Sequence, residues 1–191
     1  MPRITFIRHG KPEAHIQYPL SKLLKGQEIE NFVKAWDNCE LSISNKIPVH
    51  LWDSIKDANL FISSDLKRAK DSFQMMGVKD FKTTCLLNEA TLPCGIWKRI
   101  ILPLFIWLLF LRILWIGGFK GKGESYKDFK IRMYRATDYI ENLMVGSHHL
   151  VVMTHGFVMR SISKILITNK WRRVSKEKKY SYWSFITFEK S

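Results

Sequence analysis

Acidic residues are scarce in this chain: 17 Asp and Glu stand against 31 Lys and Arg, a formal net charge of +14. Such an excess points to anionic partners, whether phosphorylated substrates, nucleic acid or an anionic membrane surface. A lysine-rich solvated surface would leave the same signature. No basic motif interleaved with aromatics occurs, so nucleic acid is not an expected partner. Cysteine is scarcer still. Cys39, Cys85 and Cys94 are too few and too irregularly spaced for a disulfide framework or a zinc cluster, and read as reduced thiols of a cytosolic protein. A core strand is expected within a few residues of Met1, so no signal peptide is expected. Blocks of like charge, repeats and low-complexity tracts are also missing, and the 46% of hydrophobic residues is enough for a folded chain. At 191 residues a single domain spanning 1–191 is expected.

Long apolar runs are limited to one, from Ile100 to Leu111, continued by Ile113-Leu114-Trp115-Ile116. A membrane span needs about 20 apolar residues without a central charge; here Pro103 and Arg112 interrupt. The stretch at about 96–117 therefore reads as a helical insertion packed over the core. The sharper alternative is an apolar surface, flanked by Lys98, Arg99, Lys120 and Lys122, that brings 100–116 onto an anionic membrane from the cytoplasmic side.

The rest of the chain alternates strand and helix patterns, which is the signature of an α/β fold. Ile4 to Arg8 reads as a buried strand. Ile29, Phe32, Val33 and Trp36 give a helix over 28–36 one apolar face for the sheet. A short polar helix is expected near Asp53 to Asn59. Leu60-Phe61-Ile62 reads as a second strand, with a helix capped near Asp65 after it. Phe81 to Leu87 is a third candidate strand. Ser125 caps a helix with apolar residues at Tyr126, Phe129, Met133, Ala136, Ile140 and Leu143, which Gly146 closes. Leu150 to Met153 is the most strand-like run, and a helix follows from Phe157. Trp183 to Phe188 alternates as a last strand with one exposed face.

Chemistry-bearing residues cluster where strands end. The first strand exits on Arg8-His9-Gly10, the second leads to Arg68, the third to Glu89, and Leu150–Met153 exits on Thr154-His155-Gly156. In a parallel sheet such exits converge at one edge, where α/β proteins bind ligands. Two His and one Glu so far apart make no metal-ligand pattern, and no cofactor is expected. Two guanidiniums suit the equatorial oxygens of a phosphoryl group, in a fork geometry that Lys cannot reproduce. His9 would attack phosphorus through a neutral ring nitrogen, its other nitrogen held by a carbonyl in the Gly10 turn. His155 would donate to a phosphoryl oxygen, and Glu89 would protonate the leaving oxygen.

Ile7-Arg8-His9-Gly10, Ser63-Ser64-Asp65-Leu66-Lys67-Arg68-Ala69, Leu87-Asn88-Glu89-Ala90 and Thr154-His155-Gly156 span the chain. Together, in that order and spacing, they resemble the histidine phosphatase superfamily, which includes the cofactor-dependent phosphoglycerate mutases. The resemblance implies a three-layer α/β/α sandwich with a mostly parallel central sheet, phosphoglycerate mutase-like. It implies that His9 is the phosphorylated nucleophile, that Arg8, Arg68, His155 and Gly156 form the phosphate pocket, and that Glu89 is the general acid. Two positions depart from the pattern. Pro12 stands where many members have Thr or Ser, and His15 where Asn is a common phosphate ligand, so His15 would bind phosphate in a pH-dependent way. Glu124-Ser125 with Arg132 looks like a second recurrent stretch and is read as structural, with Glu124 a distant candidate acid. The 100–116 segment resembles an insertion of a bacterial branch, onto which no substrate residues carry over.

The implied activity is metal-independent phosphomonoester hydrolysis of a phosphorylated small molecule or phosphoprotein. The chain is shorter than typical mutases, and an open, water-accessible pocket would favour hydrolysis over transfer. Mutase-type phosphotransfer, and a catalytically weak phospho-ligand-binding or membrane-associated adaptor, remain the alternatives. Oligomeric state and substrate identity are not legible in the sequence.

Overall fold

The strands Arg3–Arg8 (β1) and His149–Thr154 (β6), which both exit on His-Gly, lie side by side and parallel in the middle of a sheet. This computed structural model describes residues 1–94, 97–121, 123–175 and 180–190, with the backbone alone for residues 15 and 16. In chain order the other strands are β2 (Leu23–Lys25), β3 (Leu60–Ser64), β4 (Lys82–Thr84), β5 (Ile101–Pro103), β7 (Arg172–Arg173) and β8 (Phe185–Glu189). The helices are α1 (Ala14–Gln17), α2 (Gly26–Asn38), α3 (Val49–Asp53), α4 (Lys67–Met75), α5 (Leu104–Ile116), α6 (Tyr126–Leu143) and α7 (Gly156–Thr168). Among the described residues the main sheet runs β4-β3-β6-β1-β8-β7. Its β4, β3, β6 and β1 pair in parallel, and β8 closes antiparallel against β1.

Every residue of β6 is buried, so its continuous apolar run is that of a strand covered on both faces. One face carries Ile4, Phe6, Leu150 and Val152 under α6 and α7, through Phe129, Met133, Ile140, Val158 and Ile162. The other carries Ile7, Val151 and Met153 under α3 and α4, through Leu51, Ala69 and Phe73. These are the three layers of an α/β/α sandwich. Each fully buried large apolar side chain contributes about 1.5–3 kcal/mol before entropic costs.

A third apolar cluster stands apart. β2 and β5 pair as a small antiparallel ribbon, and with α2 and α5 they bury Leu24, Ile29, Phe32, Leu104, Trp107 and Leu111. Trp107 donates its indole N–H to the Leu24 carbonyl at 2.9 Å, which satisfies the polar atom of a buried Trp. The apolar face of α2 therefore packs on the insertion rather than on the sheet. Helical periodicity reveals such a face without saying what covers it.

Four other boundaries differ from the sequence reading. The helix expected near 53–59 is α3, four residues earlier, because Pro48 provides its N-cap and Leu51 anchors it in the core. α4 starts at Lys67 without a side-chain cap, because its N-cap position is Leu66, whose side chain has no acceptor; the Ser64 hydroxyl instead accepts the Leu66 N–H at 3.2 Å. The third strand is cut to Lys82–Thr84, since the Thr84 hydroxyl accepts the Leu86 N–H at 3.2 Å and turns Cys85–Leu87 into a single 3-10 turn. Finally, β8 has no exposed face: Ile186, Thr187 and Phe188 are all buried, because the strand lies inside the sheet between β1 and β7.

Candidate active site

The register of β1 on β6 pairs Arg8 with Thr154, so the next residues, His9 and His155, leave adjacent parallel strands at the same level. Neighbouring strands lie about 4.8 Å apart, and the two imidazole centroids are 4.9 Å apart. The His9 N–H donates to the Thr154 carbonyl at 3.0 Å and ties the exits together. Both rings are buried. Two motifs separated by most of the chain thus meet through one strand register.

The Gly10 turn sets the state of His9. Nδ1 lies 2.7 Å from the Gly10 carbonyl; a carbonyl can only accept, so Nδ1 carries the proton and Nε2 has its lone pair free. Burial, then the positive charges of Arg68 and Arg8, push His9 well below the usual imidazole value of 6.5. The turn itself is tightly packed. The Gly10 N–H donates to Ser72 Oγ at 2.9 Å, and a Cβ on Gly10 would lie 2.6 Å from the Trp183 ring and 2.8 Å from Asn45 Oδ1.

Arg68 sits in the first turn of α4 and is fully buried. Its Nη1 donates to the Trp36 carbonyl at 2.9 Å and reaches Asp37 at 3.4 Å. Its Nε and Nη2 have no partner, and neither has Arg8 Nε. Unmade hydrogen bonds of buried cations are costly, so these N–H groups mark a place for an oxyanion. Arg8 is held from behind: Nη1 donates to the Tyr180 carbonyl, the guanidinium lies 4.3 Å from the Tyr182 ring centroid, and Gly156 packs against its side chain.

His155 Nε2 lies 2.9 Å from Ser64 Oγ, and Ser64 Oγ donates to Asn88 Oδ1 at 2.7 Å. The Asp65 N–H also donates to Asn88 Oδ1, which fixes that atom as an acceptor. The Ser64 proton is therefore committed to Asn88, and the proton on His155 is on Nε2. Its Nδ1 has no partner. Burial first, then Arg68, His9, Arg8 and Arg132, push its titration well below 6.5.

The loop carrying Glu89 is bolted down from several sides. Arg132 forms a bidentate pair with Glu124 at 2.7 and 2.8 Å and donates to the Leu86 and Asn88 carbonyls. Thr154 Oγ1 donates to the Leu87 carbonyl at 2.9 Å. Glu124 is thus occupied as a structural partner. Glu89 accepts from the Ala90 N–H at 3.0 Å and from the Phe157 N–H at 3.4 Å.

Arg8, His9, Arg68 and Glu89 share one cavity of about 200 Å3, whose other wall is apolar through Phe32, Val33, Trp36, Leu92 and Leu108. His155 stands against His9 outside this lining, and Gly156 is a packing partner of Arg8. The side chain of His15 lies outside the described residues. A residue that the sequence reading missed joins the cavity: Arg112 of α5. Its guanidinium lies 4.9 and 4.6 Å from the Trp115 and Phe157 ring centroids, and its Nη1 is buried without a partner. Burial lowers its titration while Glu89 raises it. A lone charge in an apolar run was the available signal, since a cation is kept there only for a purpose. Tyr182 and Ser64 were likewise invisible, because they act on Arg8 and His155 across long sequence separations. Among the described residues no three His, Cys, Asp or Glu side chains group as a metal site would require.

No family model matches the sequence, and no curated protein matches it. Solved structures do. The chain has a phosphoglycerate mutase-like fold. It is similar to the phosphoserine phosphatase of Entamoeba histolytica, solved with 3-phosphoglyceric acid, at 16% identity and a TM-score of 0.59, over 98% of this chain and 90% of that one. It is similar to a mycobacterial glucosyl-3-phosphoglycerate phosphatase solved with VO3, at 20% identity and a TM-score of 0.57, over 88% and 83%. It is also similar to the alpha-ribazole phosphatase of Shigella flexneri, at 17% identity and a TM-score of 0.53, over 87% and 78%. In this fold the site described above lies at the carboxyl ends of the parallel strands β1, β3 and β6.

Proposed function

We propose that the chain is a phosphomonoesterase that works through a phosphohistidine on His9. The observation that carries this reading is the set of buried, unpartnered N–H groups of Arg8 and Arg68 on the cavity that His9 lines. Cationic donors left unpaired in a buried site are complementary to an oxyanion. The fold it shares with three phosphatases supports the same reading.

The chemistry follows from the protonation states. The lone pair of His9 Nε2 attacks phosphorus; the P–N bond forms as the P–O bond to the alcohol breaks. Glu89 gives its proton to the leaving oxygen, and the alcohol departs. Water then attacks the phosphohistidine, its proton returns to Glu89, and the P–N bonding pair returns to Nε2. Arg68 Nε and Nη2, with Arg8 Nε, hold the equatorial oxygens through both steps. The negative phosphoryl group brings His155 a second proton, on Nδ1, so that this nitrogen donates too.

A cavity of about 200 Å3 is smaller than the roughly 300–1,000 Å3 of drug-sized ligand sites. It suits a small phosphoester or a phosphorylated side chain, with the apolar wall and Arg112 meeting the part that is not transferred. The test is hydrolysis of para-nitrophenyl phosphate. Turnover that disappears in folded His9→Ala supports the proposal; no turnover by the folded wild-type protein across a panel of phosphoesters overturns it.

A further inference from the structure

Apart from Arg112, helix α5 is apolar around its circumference but covered on only one side. Leu104, Trp107, Leu111 and Trp115 are buried. Phe105, Leu109, Ile113 and Ile116 are exposed, and spacings of four, four and three place them on one stripe. The β2–β5 ribbon extends that face. The Phe105 N–H donates to the Leu20 carbonyl and the Leu104 N–H to that of Lys22, while Lys25 pairs with Ile101. Exposure along the patch runs from 44% at Ile100 to 64% at Leu23. Contiguous bare apolar surface of this kind marks an interaction site.

Charge says what covers it. The sequence has no acidic residue between Glu89 and Glu124, yet carries Lys98, Arg99, Lys120 and Lys122 there, besides the Arg112 that enters the cavity. The ribbon adds exposed Lys22 and Lys25. Glu28, beside the ribbon, has its carboxylate on the Lys25 backbone N–H at 2.6 Å. A second copy of the chain would set a net +14 against another +14 and bring the same cations together across a two-fold axis. Spanning is not available to α5, whose 13 residues cover about 20 Å of a hydrocarbon core about 30 Å thick; among the described residues no helix is long and apolar enough to cross a membrane.

We propose that α5 and the β2–β5 ribbon dock the protein on an anionic membrane surface, with Phe105, Leu109, Ile113 and Ile116 in the headgroup–acyl boundary and the flanking Lys and Arg on lipid phosphates. The docking does not depend on the chemistry of His9. Its test is co-sedimentation of the full chain with phosphatidylcholine vesicles, with and without about one-third phosphatidylglycerol, across a salt titration.

The expected result is binding to the anionic vesicles only, weakened by salt, and reduced at least about tenfold in the Leu109→Glu/Ile113→Glu double variant. Both residues are exposed and outside the cavity, so circular dichroism and hydrolysis of a soluble ester should be unchanged. Absence of wild-type binding to anionic vesicles at low salt overturns the proposal without needing any variant. So does equal binding to neutral vesicles, binding that survives the double substitution, or a solution dimer that the substitution dissociates.

Discussion

His155 and Ser64 are joined by a 2.9 Å hydrogen bond in which the imidazole is the donor, because Ser64 has given its own proton to Asn88. Neutral His155 therefore keeps a buried Nδ1 lone pair without a partner, and burial, with the charges of Arg68, His9, Arg8 and Arg132, holds it neutral. A bound phosphate dianion reverses the balance of charge there and draws a proton onto Nδ1. Binding of inorganic phosphate should be coupled to proton uptake, its affinity rising as pH falls by up to about tenfold per pH unit. In His155→Gln, an amide that donates without titrating, the pH dependence of phosphate inhibition should lose one proton. An unchanged profile would contradict the assignment.

Arg68 offers two unpartnered N–H groups on one edge of its guanidinium, and a lysine cannot present that edge. Arg68→Lys should weaken phosphate inhibition by about 10- to 100-fold, the equivalent of one charge-assisted bond of about 1.5–3 kcal/mol. Thermal denaturation gives a second readout: phosphate should raise the Tm of the wild type more than that of the variant.

Arg112 is expected to act on the part of the substrate that stays behind. Arg112→Met keeps the packing against Trp115 and Phe157 and removes a buried donor without a partner, so stability should hold or rise slightly. KM should increase for phosphoesters with a second anionic group and change little for para-nitrophenyl phosphate. An equal effect on both substrates would place Arg112 with the phosphate ligands instead.

Three histidines fold in the neutral state: His9, His155 and His149 are all pushed below 6.5, chiefly by burial. In the unfolded chain they titrate near 6.5, so below that pH the unfolded state binds more protons. Stability should be level above about pH 6.5 and fall below it, by up to about 1.4 kcal/mol per pH unit for each histidine still neutral in the fold. Urea denaturation between pH 5 and pH 8 measures this. A stability that rises on acidification would contradict the buried neutral state.

The sheet and the meeting of Arg8, His9, Arg68 and Glu89 were legible because strand exits in a parallel sheet share an edge, and short motifs mark each exit. The insertion was legible as a helix but not in its role. Its apolar run says nothing of direction, so neither the packing of α2 against α5 nor the entry of Arg112 into the cavity could be read from it. A cap near Asp65 read as local helix chemistry, whereas the Ser64 hydroxyl, besides accepting the Leu66 N–H, serves Asn88 and His155 across distant chain. The buried faces of β8 were hidden by the same limit, since alternation at Trp183–Phe188 reports side-chain polarity and not which strands stand on either side.

The central claim is that phosphate passes through His9. The most direct measurement is rapid quenching in alkali during turnover, followed by peptide mass spectrometry. A phosphoryl group that is stable in alkali, labile in acid and carried by the peptide containing His9 is the predicted result. Steady turnover with no phosphate on that peptide, or hydrolysis that persists in His9→Ala, would contradict it.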